Sequence, residues 1–180
     1  APTNTPPYAA ACPQTDPNQQ YACTLAFAQQ KIGFPLKALP VDFSLELTGM
    51  DIDLADGAVS LYYGSNATII LAQRHSPFPQ SIRRTEDNNG EVPVEAVQSV
   101  TVNGQPGEYV EGGFILKPGS QQYTWDPTVS MARLRWQEGD TWFEMIKPGT
   151  PEALRDLIGN KDSFIHLAES LVWVEAILHP

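Results

Sequence analysis

Two segments of this chain place predicted strands on both sides of a tight turn, and this pattern limits the fold more than any other feature. In the first, residues 96–102 lead into Asn103-Gly104 and the chain returns through residues 108–114. In the second, residues 132–137 alternate up to the turn Glu138-Gly139-Asp140, and residues 142–146 follow. Alternation with a period of two is typical of strands, and Asn-Gly is a strong signal for a hairpin turn. The sequence therefore predicts two β-hairpins in an antiparallel sheet.

Earlier segments extend the predicted sheet. Residues 43–47 and 59–63 also alternate, on either side of a turn at Asp56-Gly57, so each should have one dry and one wet face. Residues 67–72 are apolar at almost every position, as in a central strand that is covered from both sides. Residues 76–92 and 117–126 are rich in proline and polar residues and are predicted to be loops.

Three segments have helical periodicity. Apolar residues recur at helical spacing over residues 21–32, and Gly33 suits a C-terminal cap. Thr150-Pro151-Glu152 has the composition of a helix start, with a capping oxygen, a first-turn proline and an acid, and predicts a short helix through Ile158. A last helix should place an apolar stripe from Phe164 to Leu171 against the sheet. The fold class is therefore α+β: an antiparallel sheet of about six to eight strands, with an N-terminal helix and C-terminal helices packed on it.

The composition divides the chain into a tail and one domain. Residues 1–19 are rich in Pro, Thr, Asn and Gln, which favours a flexible linker. Residues 20–180 are predicted to form a single α+β domain, since a chain of 180 residues can bury a sizeable core. The first residue is Ala1 rather than Met, and no leader precedes it, so we expect that a targeting segment was removed.

The net charge is −10, from 11 Lys and Arg against 21 Asp and Glu, and the largest basic cluster is the pair Arg83-Arg84. Nucleic acids are bound mainly by clustered cations that neutralise phosphates, so the sequence predicts no nucleic-acid partner. Anionic membrane surfaces are disfavoured for the same reason. We expect the acidity to serve solubility.

Cys12 and Cys23 are the two cysteines of the chain. In a reducing compartment they would be free thiols, whereas in an oxidising one they can close a small loop. We favour the disulfide. A structural zinc would need four ligands, and a redox-active pair normally has the spacing Cys-x-x-Cys, so these two cysteines indicate neither.

Several short patterns were weighed as catalytic or metal sites and not adopted. His75-Ser76 could supply a hydrolase, but adjacent side chains rarely face each other and no Gly-x-Ser-x-Gly is present. His166 and Glu169 have the spacing of two ligands on one helix face, with His75 and His179 left to complete a site. We predict that the protein is not an enzyme and that it has no catalytic, cofactor-binding or metal-binding residues.

Acidic and aromatic residues give two more candidates. The segment from Asp51 to Asp56 resembles a calcium loop but has the wrong spacing, and the bidentate glutamate is missing, so it is interpreted as a turn. Aromatic residues on alternating strand positions are expected in the core. Tyr123 and Trp125, in the predicted long loop, are the candidate interaction surface.

The ordered motifs of residues 22–172 resemble a bacterial family known as domain of unknown function 4367. The resemblance rests on a helix running into Gly33-Phe34-Pro35-Leu36, on Leu39-Pro40, and on further motifs along the strands and last helix: Val59-Ser60-Leu61-Tyr62-Tyr63, Ile69-Ile70-Leu71-Ala72-Gln73, Val100-Thr101-Val102-Asn103-Gly104-Gln105-Pro106-Gly107-Glu108-Tyr109, Leu134-Arg135-Trp136-Gln137-Glu138-Gly139 and Leu167-Ala168-Glu169-Ser170-Leu171. It implies an extracytoplasmic domain, secreted, lipid-anchored or beyond a membrane anchor, with no assigned activity. The cysteines are not part of the family pattern.

Two functions are expected from these observations. The first is a non-enzymatic sensing or protein-interaction domain of a bacterial envelope protein, attached to the membrane only through a segment outside this sequence. The alternative is a carrier or sensor of a small apolar ligand bound between the sheet and the helices. An unrecognised hydrolase would need His75 or His166 beside a nucleophile or carboxylate in a cleft.

Overall fold

The computed structural model describes residue 12 and residues 16–84, 90–150 and 152–178. The α-helices are α1 (Pro17–Ile32), α2 (Arg155–Ile158), α3 (Lys161–Glu169) and α4 (Val174–Leu178). The strands are β1 (Lys37–Ala38), β2 (Leu47–Asp53), β3 (Ala58–Tyr63), β4 (Ile69–Arg74), β5 (Val97–Val102), β6 (Gln105–Glu111), β7 (Gly113–Leu116), β8 (Tyr123–Asp126), β9 (Ala132–Glu138), β10 (Thr141–Lys147) and β11 (Val172–Trp173). Short 3-10 helices span Val94–Ala96 and Glu152–Leu154.

Seven of these strands form one antiparallel sheet in the order β2-β3-β4-β10-β9-β6-β5. Strands β1 and β11 form a separate pair, as do β7 and β8. The sheet, the N-terminal helix and the C-terminal helices confirm the predicted α+β fold class. Strand β4 lies between β3 and β10, in the interior of the sheet, as its apolar sequence predicts.

The helices cover one face of the sheet, here called the helix face. Residues from the inner strands, such as Leu61, Leu71, Met145 and Leu134, form a continuous row across this face and are fully buried. Residues of α1 and α3 pack against them, including Leu25 and Phe164. None of the described helices is long and apolar enough to cross a bilayer.

The first helix begins earlier than the composition predicts. Asp16 caps it by accepting a hydrogen bond from the Asn18 amide, at 2.9 Å, and Pro17 occupies the first turn. Cys12 is buried and forms a disulfide with Cys23, with 5.6 Å between the Cα atoms. The folded part therefore includes residues that we predicted to be linker, because a polar Asp-Pro start signal gives no apolar periodicity. The remaining residues 1–11 and 13–15 of the predicted linker lie outside the described residues.

The predicted strand over residues 43–47 is wrong. Those residues are irregular up to Leu47, where β2 begins and continues to Asp53. The pairing of β2 with β3 ends at Leu47 and Tyr63, and the next residue after β3, Gly64, has a φ of 74°. Strand β3 therefore has no further residues to pair with residues 43–46. The alternation of Phe43, Leu45 and Leu47 instead reflects their contacts with the main core.

The predicted strand 108–114 and the loop 117–126 are also corrected. The chain breaks at Gly112 into β6 and β7, and β8 occupies the end of the predicted loop. Gly112 has a φ of 130°, and a Cβ there would lie 2.4 Å from Trp125 Cζ2. Glycine is therefore needed both for the backbone conformation and for the close approach of the β7–β8 hairpin.

The helix start at residue 150 is a further correction. The Thr150 hydroxyl is buried with no hydrogen-bond partner in the described part of the chain, and a 3-10 turn precedes α2. Pro151 lies outside the described residues. By contrast, α3 begins with a reciprocal cap, in which Asn160 accepts from the Ser163 amide and Ser163 accepts from the Asn160 amide.

The disulfide gives the first testable prediction. Replacing both cysteines, as in Cys12→Ser with Cys23→Ser, should lower the free energy of unfolding by about 3 kcal/mol, because the closed loop no longer restricts the unfolded chain. Denaturant unfolding of the oxidised wild type and the double variant measures the difference. The double variant should not respond to a reductant, whereas the wild type should lose the same stability when reduced. Equal stability of the oxidised and reduced wild type would contradict the disulfide.

Candidate functional site

His75 and Ser76, the candidate residues for a hydrolase, make separate structural contacts. The His75 ring is exposed and stacks on Phe34, with 4.5 Å between ring centroids. The Ser76 hydroxyl accepts a hydrogen bond from Arg74 Nε at 3.2 Å. Each side chain thus has a structural contact of its own.

The candidate metal ligands have simple structural roles. His166 is largely exposed, 3.8 Å from Glu169, and Glu169 accepts from the Asn103 amide. Asp53 accepts from the amides of Ala55 and Asp56 and so shapes the β2–β3 turn. Across residues 12, 16–84, 90–150 and 152–178, no group of three or more His, Cys, Asp or Glu side chains could hold a metal ion. His179 lies outside that range.

A buried ion pair joins Lys37 of β1 to Glu138 at the end of β9. Glu138 also accepts from Trp136 Nε1, at 3.0 Å, and from Asn103 Nδ2, at 3.3 Å. Burial alone would raise the pKa of Glu138, but the hydrogen bonds from Lys37, Trp136 and Asn103 together hold it below its ordinary value of 4.5. The backbone of Lys37 is fixed as well, since the Gln73 side chain bonds both its N–H and its C=O at 2.7 Å.

Lys147 is the second buried cation on the helix face. Its Nζ donates to the Ile158 carbonyl at 3.0 Å and lies 4.0 Å from Glu111. Burial lowers the pKa of Lys147, while the charge of Glu111 opposes the shift. The contact ties the end of α2 to the sheet, so the role that this geometry supports is structural.

The opposite face of the sheet, here called the open face, carries a groove of about 610 Å³. Its floor comes from alternate residues of four strands. Paired residues form rows across the floor. One row is Tyr62, Ile70, Ile146 and Arg133, the next is Ser60, Ala72, Glu144 and Arg135, and Arg74 lies beyond Ala72 along β4. Since residues at i, i+2 and i+4 of a strand share a face, β4 alone carries the floor from Ile70 to Arg74, about 13 Å.

Residues 75–84, here called the strap, form one wall of this groove. Arg135 donates to the Gln80 carbonyl and to Glu144 Oε1, the latter at 2.8 Å. The Phe78 ring lies over two guanidinium groups, 4.6 Å from Arg135 Cζ and 5.6 Å from Arg74 Cζ. Around Phe78 and Gln80 the strap is thus bound to the sheet by arginines.

The strap continues into a small second core beside the groove. Ile82, Val92 and Val110 are buried together, and Arg133 donates to the Arg84 carbonyl at 2.8 Å beneath them. Arg133 is 8% exposed, although it stands on the polar side of β9. The second core fixes the position of Arg84, whose side chain remains exposed on the groove rim.

The β7–β8 hairpin also lines the groove, and it packs against the second core beside the strap through Phe114 and Trp125. Phe114 pairs with Trp125, edge to face with ring centroids 5.3 Å apart, and Leu116 pairs with Tyr123 on the same side of the hairpin. Trp125 is half-buried and lines the groove, whereas Tyr123 is 45% exposed and Leu116 is 52% exposed. The structure therefore places the two residues of the predicted interaction surface on one hairpin face that continues the groove wall. That they bind a partner stays a prediction.

A second groove, of about 710 Å³, lies between the start of α1 and residues 40–49. It is the larger of the two. Glu46 is the one charged residue among its lining residues in the described part of the chain. Because the open-face groove brings several charged side chains together, which can orient a ligand, we take it as the candidate site.

Sequence reasoning missed the arginines and the strap. The alternation of β9 assigns Arg133 and Arg135 to a polar face, and polar faces are usually solvated. The sequence did indicate Tyr123 and Trp125 of the hairpin, because exposed aromatic residues in a loop are typical of an interaction surface. Four of the six arginines of the chain line the groove, a concentration that is invisible until the strands are ordered.

The Lys37–Glu138 pair gives the second testable prediction. Glu138→Gln should lower the free energy of unfolding at pH 7 by about 3 kcal/mol or more, because it leaves the Lys37 charge buried without its partner. The pKa of Glu138 is lower in the folded than in the unfolded state, so its contribution is present above pH 4.5 and is lost as the pH falls through the folded value.

Denaturant unfolding between pH 7 and pH 3 tests this. The stability difference between wild type and Glu138→Gln should shrink toward acid, whereas Glu46→Gln, at an exposed carboxylate, should match the wild type throughout. A difference between wild type and Glu138→Gln that does not change with pH would contradict the assignment.

No family model, curated protein or solved structure matches this chain. The resemblance to domain of unknown function 4367 thus depends on the quoted sequence motifs, and what it implies is taken up as a proposal.

Proposed function

We propose that this protein is a non-enzymatic, extracytoplasmic sensing or protein-interaction domain of a bacterial envelope protein, and that it binds its partner in the open-face groove. One observation carries the proposal. A groove floored by both charged and apolar side chains continues along the β7–β8 hairpin onto the exposed pair Leu116 and Tyr123. Aromatic residues beside arginines are typical of the residues that dominate the energy of protein interfaces.

Two further points support the location. Disulfides such as Cys12–Cys23 form and persist in oxidising compartments. The family resemblance implies an extracytoplasmic domain and a bacterial source. Membership of domain of unknown function 4367 is itself part of the proposal.

The alternative function, transport or sensing of an apolar ligand between the sheet and the helices, has less support. The side chains between these layers form one continuous core, in which Trp136 stacks on Phe143 with 5.0 Å between ring centroids. A ligand there would have to displace packed side chains, at a cost of several kcal/mol for each large one. This function therefore stays a prediction without an observation in its favour.

Site-specific photo-crosslinking tests the proposed site. A photoreactive phenylalanine analogue replaces Tyr123 in one variant and Val41, which is 39% exposed and lines the other groove, in a matched control. In the bacterium that produces the protein, we expect one discrete crosslinked product from position 123 and none from position 41. Products from both positions alike, from position 41 alone, or from neither would contradict the proposal.

A further inference from the structure

The two edge strands of the seven-stranded sheet differ in how they are protected. At one edge, β2 carries the charged residues Asp51 and Asp53 and a shift of register between Leu47 and Gly49. At the other edge, β5 (Val97–Val102) has no charged residue and no proline, and it pairs with β6 without a shift. Natural proteins usually protect an edge strand with charges, prolines or bulges, because its unpaired backbone groups can bind another strand. The edge at β5 therefore lacks the usual protection.

The hairpin turn determines which backbone groups of β5 point outward. Both residues of the turn Asn103-Gly104 have a positive φ, 50° and 77°, so Val102, which precedes them, forms a hydrogen-bonded pair with β6. Such pairs alternate with non-bonded ones along an antiparallel ladder. Val100 therefore also bonds to β6, whereas Ser99 and Thr101 direct their N–H and C=O groups away from it.

The chain itself limits the open stretch of this edge to Ser99 and Thr101. Val97 is the next residue whose backbone points outward, and its N–H already closes the 3-10 turn that precedes β5. At the other end, the N–H of Asn103 donates to Glu169 at 3.3 Å. Among the described residues no strand lies beyond β5, and the side chains of Ser99 and Thr101 are exposed. The backbone groups of these two residues are thus the ones available to another strand.

We infer that β5 binds β5 of a second copy of this chain, in antiparallel orientation and centred on Val100. In this register Ser99 of each copy faces Thr101 of the other, and each of these two pairs exchanges two backbone hydrogen bonds. The two Val100 side chains meet on the helix face, where each already packs against its own core, and the hydroxyls of Ser99 and Thr101 meet on the open face. Both are favourable cross-strand pairs. Because the contact is the same for both copies, it closes after two.

Entropy favours a second copy over a flexible peptide as the occupant. Each residue of a flexible peptide loses backbone freedom when it becomes a strand, and the few hydrogen bonds available at Ser99 and Thr101 return too little free energy to offset that loss. The same edge of a second copy is already ordered by its pairing with β6. Each copy has a net charge of −10, but β5 contributes none of it, so the paired strands bring no like charges together.

This pairing goes beyond the proposed function and does not depend on it. The two-fold axis is perpendicular to the sheet, so the open faces of both copies lie on the same side of the joined sheet. A partner with two binding segments could then occupy both grooves and would bind more tightly than a partner with one. The crosslinking at Tyr123 tests the groove whether or not the chain pairs.

Engineered cysteines test the pairing and its register. The native cysteines are bonded to each other, so Val100→Cys and Ser99→Cys each add one free thiol. In the inferred register the two Cα atoms at position 100 lie about 4.5 Å apart, within the range of a disulfide, whereas those at position 99 lie about 8 Å apart, outside it. In a glutathione buffer with about 0.3 M salt to screen the net charge, Val100→Cys should form the disulfide-linked dimer at least about tenfold faster than Ser99→Cys.

A slower or equal rate for Val100→Cys, or no linked dimer from it, would overturn the inference. The unmodified protein gives an independent measurement. Sedimentation equilibrium from about 10 μM to about 1 mM should show a reversible rise toward twice the monomer mass, since a contact between two edge strands is small and weak. A monomer at every concentration would also overturn the inference.

Variants of Thr101 test the backbone contact in the Val100→Cys background. Thr101→Pro removes an outward N–H and so spares the pairing with β6, but it deletes two of the intermolecular hydrogen bonds and should slow the crosslinking about tenfold. Thr101→Lys places a charge on the edge and should slow it similarly, so it decides the question if the proline variant does not fold. Gln30→Lys makes the same charge change on the exposed surface of α1 and should leave the rate unchanged. Crosslinking that is unaffected by a folded Thr101 variant, or slowed equally by Gln30→Lys, would contradict the pairing.

Discussion

One buried ion pair, between Lys37 and Glu138, holds together segments that lie 101 residues apart in the chain. It joins the strand that follows the first helix to the turn of the β9–β10 hairpin. Hydrogen bonds to Asn103 and from there to Glu169 extend the same network to the β5–β6 turn and the last long helix. A charge taken out of water is tolerated when its surroundings satisfy it. Glu138 accepts from Trp136 and Asn103 as well, and the Lys37 ammonium lies over the rings of Phe143 and Trp173. The helix layer therefore sits on the sheet in one fixed position.

The helix layer covers one face of the sheet, and the strap and the β7–β8 hairpin lie on the other. There, arginines attach the strap through backbone carbonyls and the Phe78 ring, and Ile82 attaches it through the second core. The guanidinium groups that make these bonds, those of Arg133 and Arg135, are largely buried, whereas that of Arg84 stays exposed on the groove rim. The main core lies on the helix face, whereas the proposed binding site lies on the open face.

The sequence predicted the secondary structure best where local chemistry and tertiary packing agree. The hairpin at Asn103-Gly104 is an example, because its turn residues and its alternation favour the same structure. The predictions from the sequence were wrong where the same residue pattern can have two causes. Residues 43–47 alternate because a loop contacts the core, and Thr150 has the composition of a cap that the backbone does not form. For the site, the exposed aromatic residues near Tyr123 could be predicted, since their signal is local. The arginine cluster could not, since its members come from three separate segments.

By itself, the sequence determined the α+β class, the antiparallel pairing within hairpins, the position of most helices and the choice of Cys12 and Cys23 as a disulfide pair. These follow from side-chain period, turn residues and short-range spacing, all of which act within a few residues. Only the tertiary structure decided that β4 pairs with β10, because that contact depends on how separate hairpins meet. This pairing brings Arg74 beside Glu144 and Arg135, so the groove and its charge arise from strand order rather than from any local pattern.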